Sequence, residues 1–361
     1  MALPLNKKRS KGRDQVVAID LGSRTTKAVY LQRRGSGYAL ARFTIQDAPI
    51  YEKSISPELL SEHLKSIMQA LDAKVKQVVL SVGVGESILR SADMPLMPVS
   101  EMRLMLKYNS KNYLQQELPD HVFDCYIVPP KEGADAAPKD ASAPAPRGPQ
   151  KFKVWVGAAR SKLLTDLQAA ARGAGLNAEE VTLGILGPVN AFEMAEPDAF
   201  SNEVVALVDI GFKASTISIV SRGELMLSRV VGIGGDKLTT GLAESIGVTY
   251  AEAEGIKLGM PHEVESSLQP LLSPLGRELR ASIDFFEHQH DKAVQQVYVS
   301  GGAAGSDYIL QSLQSELMLP CKSWTPINAV AMALPPEQMG QVEQVASQLV
   351  VAMGAGLQAV N

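Results

Sequence analysis

One pattern occurs twice in this chain and limits its fold more than any other feature. Val16 to Asp20 reads as a buried strand, and a polar turn follows: Gly22, Ser23, Arg24, Thr25 and Thr26. The chain returns as a second strand from Lys27 to Gln32, turns at Arg33 to Gly37, and alternates as a third strand from Tyr38 to Ile45. Ser56 to Leu71 then has the spacing of an amphipathic helix. Ser56 is its N-cap, Pro57 its first residue, and Leu59, Leu60, Leu64, Ile67, Met68 and Leu71 share one face. The same order returns later. Val204 to Asp209 is a strand, Gly211 to Ser215 a turn, Thr216 to Val220 the return strand, and Leu225 to Val231 the third, with a helix after Gly234–Gly235. Laid without gaps over VVAIDLGSRTTKAVYL, the segment VALVDIGFKASTISIV puts Asp209 on Asp20 and Gly211 on Gly22. A single Asp-x-Gly hairpin is an ordinary tight turn. Two of them, each followed by a third strand and a helix, indicate a duplicated α/β fold.

Between the copies, after a buried strand at Val78 to Val82, lies a block of different character. It reads as strand (Ile88 to Met94), helix (Ser100 to Leu114, with Ser100 as N-cap), strand (Phe123 to Val128), strand (Lys151 to Ala158) and helix (Lys162 to Ala174). Lys131 to Gln150 is dominated by Ala, Pro, Asp and Gly, which cannot bury enough apolar surface to order itself, so a flexible loop is expected there. A small α+β insert is the economical reading.

Composition narrows the function classes. The 361 residues carry a formal charge of −4, which gives no bulk attraction to nucleic acid. A basic run, Lys7 to Arg13, opens the chain with no apolar stretch behind it, so it is not a signal peptide. It reads either as a solvated tail or as a weak attraction to an anionic membrane face. No segment approaches the roughly 18 apolar residues that span a bilayer, and Val345 to Val360 reads as a buried helix. Two cysteines, Cys125 and Cys321, are too few for a disulfide framework or a zinc site, which fits a reducing cytoplasm. His288 and His290, two apart, do not share a helix face.

Phosphate recognition needs backbone N–H donors at close range, hydroxyls, a cation, and a carboxylate to hold the water shell of Mg²⁺. The first hairpin supplies Asp20, Gly22, Ser23, Thr25, Thr26 and Lys27; the second supplies Asp209, Gly211, Lys213, Ser215 and Thr216. Facing each other, they would clamp phosphates from both sides, although each hydroxyl is equally a turn cap. In VYVSGGAAGSDYILQSL, Gly301 and Gly302 join a strand to a helix, either as a plain turn or as bare backbone against a ring or ribose. Glu254 and Lys257 share a face of the helix Tyr250 to Leu258, as an adenosine contact or a surface ion pair.

Two Asp-x-Gly hairpins, the strand–Gly–Gly turn, and apolar helices near Gly187 to Met194 and Val345 to Leu357 resemble the five-part pattern of the actin-like ATPase superfamily. The insert, and GIGGDKLTTGLAESIGVTYAEAEGIKLG from Gly232 to Gly259, look like those of the FtsA and PilM families. FtsA-like chains continue into an amphipathic membrane helix, whereas this sequence stops at Asn361, so the PilM family is the expected one. The resemblance implies a two-lobed, ribonuclease-H-like α/β fold. Residues 15–86 would form the first lobe, completed by 183–203 and 340–361. The insert would be 87–182 with its loop at 131–150. The second lobe would be 204–339, with an outer part at about 236–294, and residues 1–14 a disordered tail.

It also implies ATP and Mg²⁺ as cofactors. Asp20 and Asp209 would hold Mg²⁺ through water; Gly22, Ser23, Thr25, Thr26, Lys27, Gly211, Lys213, Gly234 and Gly235 would grip phosphate; Glu254, Lys257, Gly301 and Gly302 would contact adenosine. Arg24 and Phe212 stand where smaller residues are common and alter the grip. The implied partner is a PilN-like bitopic inner-membrane protein, bound through its short cytoplasmic peptide between first lobe and insert. That puts the chain in the cytoplasm, peripheral to the inner membrane in a type IV pilus or type II secretion machine, with room for self-association. Hydrolysis is expected to be slow, since the sequence offers no clear general base. Glu193 is a weak candidate that a solvated helix face explains as well. The alternatives are a sugar or metabolite kinase, for which residues 87–182 offer no obvious Asp base, and an FtsA-like division scaffold.

Overall fold

In the computed structural model, described for residues 13–50, 55–129 and 151–360, both Asp-x-Gly hairpins form. The basic run up to residue 12 and the Ala/Pro-rich segment expected as a loop lie outside the described residues. Arg13 does not belong to a solvated tail. Its guanidinium pairs with Glu179 and Glu180 at 2.9 and 2.8 Å, and its carbonyl accepts from Tyr38.

The first part of the chain runs β1 (Gln15–Leu21), β2 (Thr25–Arg34), β3 (Gly37–Asp47), α1 (Pro57–Ala70) and β4 (Gln77–Val82). Next come β5 (Ser87–Pro95), α2 (Val99–Leu114), β6 (His121–Ile127), β7 (Lys151–Arg160), α3 (Ser161–Gly173) and β8 (Asn177–Leu183). Two helices, α4 (Gly187–Ala195) and α5 (Pro197–Asn202), lead to β9 (Val204–Ile210), β10 (Ser215–Ser221) and β11 (Glu224–Val231). The remainder is α6 (Gly235–Ile246), α7 (Tyr250–Gly259), α8 (Glu265–His290), β12 (Gln296–Gly301), α9 (Asp307–Leu317), β13 (Cys321–Ser323), β14 (Ala331–Met332), α10 (Pro336–Val345) and α11 (Val350–Val360).

Three sheets result. Their strand orders are β14-β3-β2-β1-β4-β8, β11-β10-β9-β12-β13 and β5-β7-β6. In the first two, a β3-β2-β1-β4 unit and a β11-β10-β9-β12 unit have the same order and the same directions, antiparallel, antiparallel, then parallel. The duplication seen in sequence is therefore a duplication of a half-sheet. Helices α1 and α3 cover one face of the first sheet, burying Leu64, Ile67, Leu80 and Leu167. Helices α6, α8 and α9 cover the second, burying Leu238, Leu275, Leu279 and Leu313.

Between the sheets α4 crosses α11 at backbone contact. A Cβ at Gly187 would stand 2.6 Å from Val351 Cα, and one at Gly354 would collide with the Gly187 carbonyl. Phe192 of α4 meets Tyr298 and Trp324 edge-on, at 4.6 and 5.1 Å between centroids. The apolar helices thus join the halves because glycine lets them approach and an aromatic cluster fills the seam.

Several expectations are corrected. Leu59 is 42% exposed, off the buried face of α1. The N-cap of α2 is Pro98, and no side chain caps it; Ser100 lies inside the helix. The insert gives the chain back sooner than residue 182, because β8 pairs with β4 in the first sheet. At the other end, β14 pairs with β3, so the first sheet is re-entered before residue 340. The apolar run Val345 to Val360 is not one helix: α10 ends at Val345, and a single 3₁₀ turn precedes α11.

Candidate functional site

The ends of β1, β9 and β12, the start of α6 and one face of α7 surround a cleft of about 250 Å³ between the two large sheets. Asp20, Arg24, Thr25 and Lys27 line it from the first hairpin, and Asp209, Gly211 and Phe212 from the second. Gly235, Glu254, Lys257, Leu258, Gly301, Gly302 and Ala303 close it from the second lobe, and Gln348 and Val351 from the first.

The two aspartates end equivalent strands and enter the cleft from opposite lobes. Asp20 is 6% exposed, and Lys27 Nζ lies 3.6 Å from its Oδ2. Burial pushes its carboxyl above the usual range even though Lys27 pulls it down. Asp209 keeps some area open to the cleft but is ringed by protein atoms. Burial pushes it up to about 6, against the hydrogen bond from Ser300 Oγ (3.0 Å) and the attraction of Lys27, with Asp20 adding a rise. Two desolvated carboxylates and one lysine leave an excess of negative charge that a divalent cation would relieve. The donors are hard oxygens, and no cluster of three or more His, Cys, Asp or Glu ligands exists among the described residues. Such a cation would take its remaining ligands from water and phosphate, which is how Mg²⁺ binds. The residues fit the group.

On the α7 side of the cleft, Lys257 is buried. Its Nζ donates to Thr239 Oγ1 at 2.6 Å and to Glu254 Oε2 at 2.7 Å, and Thr239 donates to Glu254. Burial raises the Glu254 carboxyl, but the hydrogen bonds from Lys257 and Thr239 outweigh it and hold it below its ordinary value. Helix α7 is fixed in place by a capping box between Thr249 and Glu252. Gly301 has φ +93°, and a Cβ there would press on the backbone of Ile210. A Cβ at Gly302 would meet nothing within 4 Å, so this is the open backbone surface at the turn. Ser347 Oγ braces the turn from the other lobe, donating to the Gly301 carbonyl at 3.2 Å.

Other expected residues stand apart from the cleft. Thr26 is buried against α1, its Oγ1 2.8 Å from His63 Nε2, because neighbours on a strand face opposite ways. Ser23 is exposed at the turn, and Gly22 lies under Lys27. Lys213 points along its own lobe to Asp236 Oδ2 at 2.7 Å. Gly234 serves packing: a Cβ would stand 2.6 Å from the Gly211 carbonyl, and that carbonyl accepts the Gly235 N–H at 2.9 Å. Glu193 sits near Tyr126, whose hydroxyl it helps push up after burial and Glu224, and it does not line the cleft. Sequence reasoning missed Ser300, Tyr250, Thr239, Gln348 and Val351. Ser300 had a local signal, standing just before the Gly301–Gly302 pair.

The sequence pattern of the family described as type IV pilus assembly protein PilM matches residues 18–360. The cell division protein FtsA of Bacillus subtilis (strain 168) is 32% identical over 83 residues, which is 23% of this chain and 19% of FtsA. The matched part thus spans about a fifth of that relative's length. A solved PilM–PilN type IV pilus biogenesis complex superposes with a TM-score of 0.79 at 22% identity, covering 96% of this chain and 98% of that one. Ethanolamine utilization protein EutJ from Carboxydothermus hydrogenoformans reaches 0.52 at 15% identity, over 96% and 90% of the two chains. At such identities the likeness speaks for the fold, which is the two-lobed actin-like α/β fold. No helix among the described residues is long and apolar enough to cross a membrane.

Proposed function

The chain belongs to the PilM family of type IV pilus assembly proteins, and from that premise we propose that it is a nucleotide-binding scaffold working in the cytoplasm at the inner membrane. The observation that carries this reading is the pair of desolvated aspartates, Asp20 and Asp209, brought into one cleft from opposite lobes. They would hold Mg²⁺ through water, and the ion would supply neutralising charge between them and the phosphates. Lys27 and the turn backbones at 22–25 and 211–213 would hold the phosphates. Lys257 and Glu254 would orient the ribose, and Gly302 offers bare backbone to the base. Because the ligand touches both lobes, it favours the closed arrangement of the lobes over any other.

The partner we assign is the cytoplasmic peptide of a PilN-like bitopic protein. Strand β8 ends the first sheet and β5 ends the insert sheet, and the two adjoin. An extended peptide can add main-chain hydrogen bonds to such a sheet edge while its alternate side chains fill pockets.

Two titrations test the proposal. Calorimetry with ATP and excess Mg²⁺ is expected to give saturable binding that Asp209→Ala weakens by about tenfold or more. Fluorescence anisotropy of the labelled peptide is expected to report binding that responds to ATP. A protein that binds ATP, ignores the peptide and rapidly phosphorylates a sugar would be a kinase instead.

A further inference from the structure

Arg24 is the residue of the first hairpin that the duplicated pattern leaves unexplained. It sits at the β1–β2 turn of the first lobe, yet its side chain reaches partners in the second. Nη1 donates to Tyr250 Oη at 3.3 Å and lies 4.0 Å from Glu254 Oε1. Cζ stands 5.1 Å from the Phe212 ring centroid and 5.8 Å from that of Tyr250. This rim is itself held in place. Asp236 ties Lys213 at 2.7 Å and Tyr250 at 3.1 Å, and Lys213 Nζ also lies 5.2 Å from the Phe212 centroid.

The cations in the cleft and at its rim differ in how firmly they are engaged. Lys257 and Lys213 each hold a carboxylate at 2.7 Å, and Lys27 lies 3.6 Å from Asp20. Arg24 has the most distant carboxylate of the four, and its hydrogen bond is to a neutral phenol. A guanidinium resting on aromatic faces keeps its N–H edges available, and those edges match the spacing of phosphate oxygens. The contact to Glu254 is therefore the one most readily exchanged when polyanionic oxygens enter the same cleft.

We propose that Arg24 is a cross-cleft strap: it binds the phosphates of a nucleoside polyphosphate while stacked on the Phe212–Tyr250 rim, and so ties the first lobe to the second. The proposal rests on the nucleotide reading above and adds a residue that recognises phosphate rather than adenosine.

The test titrates Mg·ATP, Mg·ADP and adenosine into the full-length protein and its Arg24→Ala, Arg24→Lys and Phe212→Ala variants, each first checked for an unchanged melting curve. Arg24→Ala is expected to lose about tenfold or more in ATP affinity, less for ADP, and nothing for adenosine. Arg24→Lys should fall between, since it keeps charge but not the flat fork. Phe212→Ala should follow Arg24→Ala in direction. Small-angle scattering should show ATP-induced compaction in the wild type and less in Arg24→Ala. Equal losses for all three ligands would assign Arg24 a merely structural role, and unchanged ATP affinity in Arg24→Ala would remove the strap while leaving nucleotide binding intact. Wild-type protein that binds no ATP would instead defeat the nucleotide reading, and the strap with it.

Discussion

The two hairpins share their sequence pattern and differ in how they handle the same buried charge. Each aspartate has a parallel neighbour strand carrying a serine in register: Ser81 beside Asp20, Ser300 beside Asp209. In the second lobe the serine is used, and Ser300 Oγ donates to Asp209 at 3.0 Å. In the first, Asp20 turns to Lys27 instead, and Ser81 Oγ is buried without a partner. A lysine is a full charge on a flexible stem and can leave for a phosphate; a serine on a strand is a short, fixed dipole. The cations follow the same division. Arg24 crosses to the other lobe, whereas Lys213 is tied to Asp236 in its own. Duplication has kept the carboxylates and separated their surroundings, one paired with a lysine, the other hydrogen-bonded to a serine.

The largest effect of that difference is expected in Mg²⁺-dependent binding. Asp209 has no lysine of its own hairpin to neutralise it, so its charge is the one a divalent cation offsets most. Asp209→Asn should weaken Mg·ATP binding by about 100-fold. Asp20→Asn should cost only about tenfold, because it frees Lys27 for phosphate. Calorimetry with excess Mg²⁺, repeated after chelation, measures both. Equal losses would show that the two hairpins are equivalent and the comparison empty.

Stability comes next. A carboxyl whose folded value, about 6, lies above its ordinary 3.8 favours the folded state fully only below about pH 4, and that contribution is lost as pH rises through 6. Without Mg²⁺ and nucleotide, Asp209→Asn should therefore stabilise the protein at pH 8 by about 2 kcal/mol, after discounting for the area Asp209 opens to cleft water. The gain should shrink towards zero at pH 4. Asp20→Asn should gain less, since it leaves Lys27 without its carboxylate. Denaturant melts at pH 4, 6 and 8 check the sign, and a gain independent of pH would rule out ionisation as the cause.

What the sequence made legible, and what it hid, follows from the range of each contact. The hairpins, α1 and the strand–glycine turn depend on local alternation, spacing and turn chemistry, and they stand within two residues of their expected places. Ser300 could not be assigned a role, because its partner lies 91 residues earlier and only the β9–β12 register joins them. Strand β8, NAEEVTL, has two glutamates and little apolar alternation, so its place beside β4 was invisible. Helix α8 carries Pro270 and Pro274, which interrupt a helical pattern read locally. Thr25 and Thr26 are a different case. Adjacent residues at a strand start cannot both face the cleft, so alternation alone could have separated Thr25, which lines it, from Thr26, which does not.

The smallest expected effect is also the sharpest test of the comparison, because the two serines should respond with opposite signs. Ser300→Ala removes a hydrogen bond from a carboxylate that is ionised at neutral pH. It should cost about 1 kcal/mol at pH 8, and the cost should fade as pH drops below about 6 and the carboxyl protonates. Ser81 is fully buried with its hydroxyl unpaired, so Ser81→Ala removes a desolvated group that gains nothing in the fold. Loss of one oxygen leaves little space behind, and the variant should be neutral or more stable by up to about 1 kcal/mol at any pH. Parallel melts of the two variants at pH 5 and 8 decide the matter. If Ser81→Ala instead destabilises the protein in the same pH-dependent way as Ser300→Ala, its hydroxyl must solvate Asp20 in solution. The first hairpin would then be wired like the second, and the reliance of Asp20 on Lys27 rather than on a serine, which sets the two hairpins apart, would be lost.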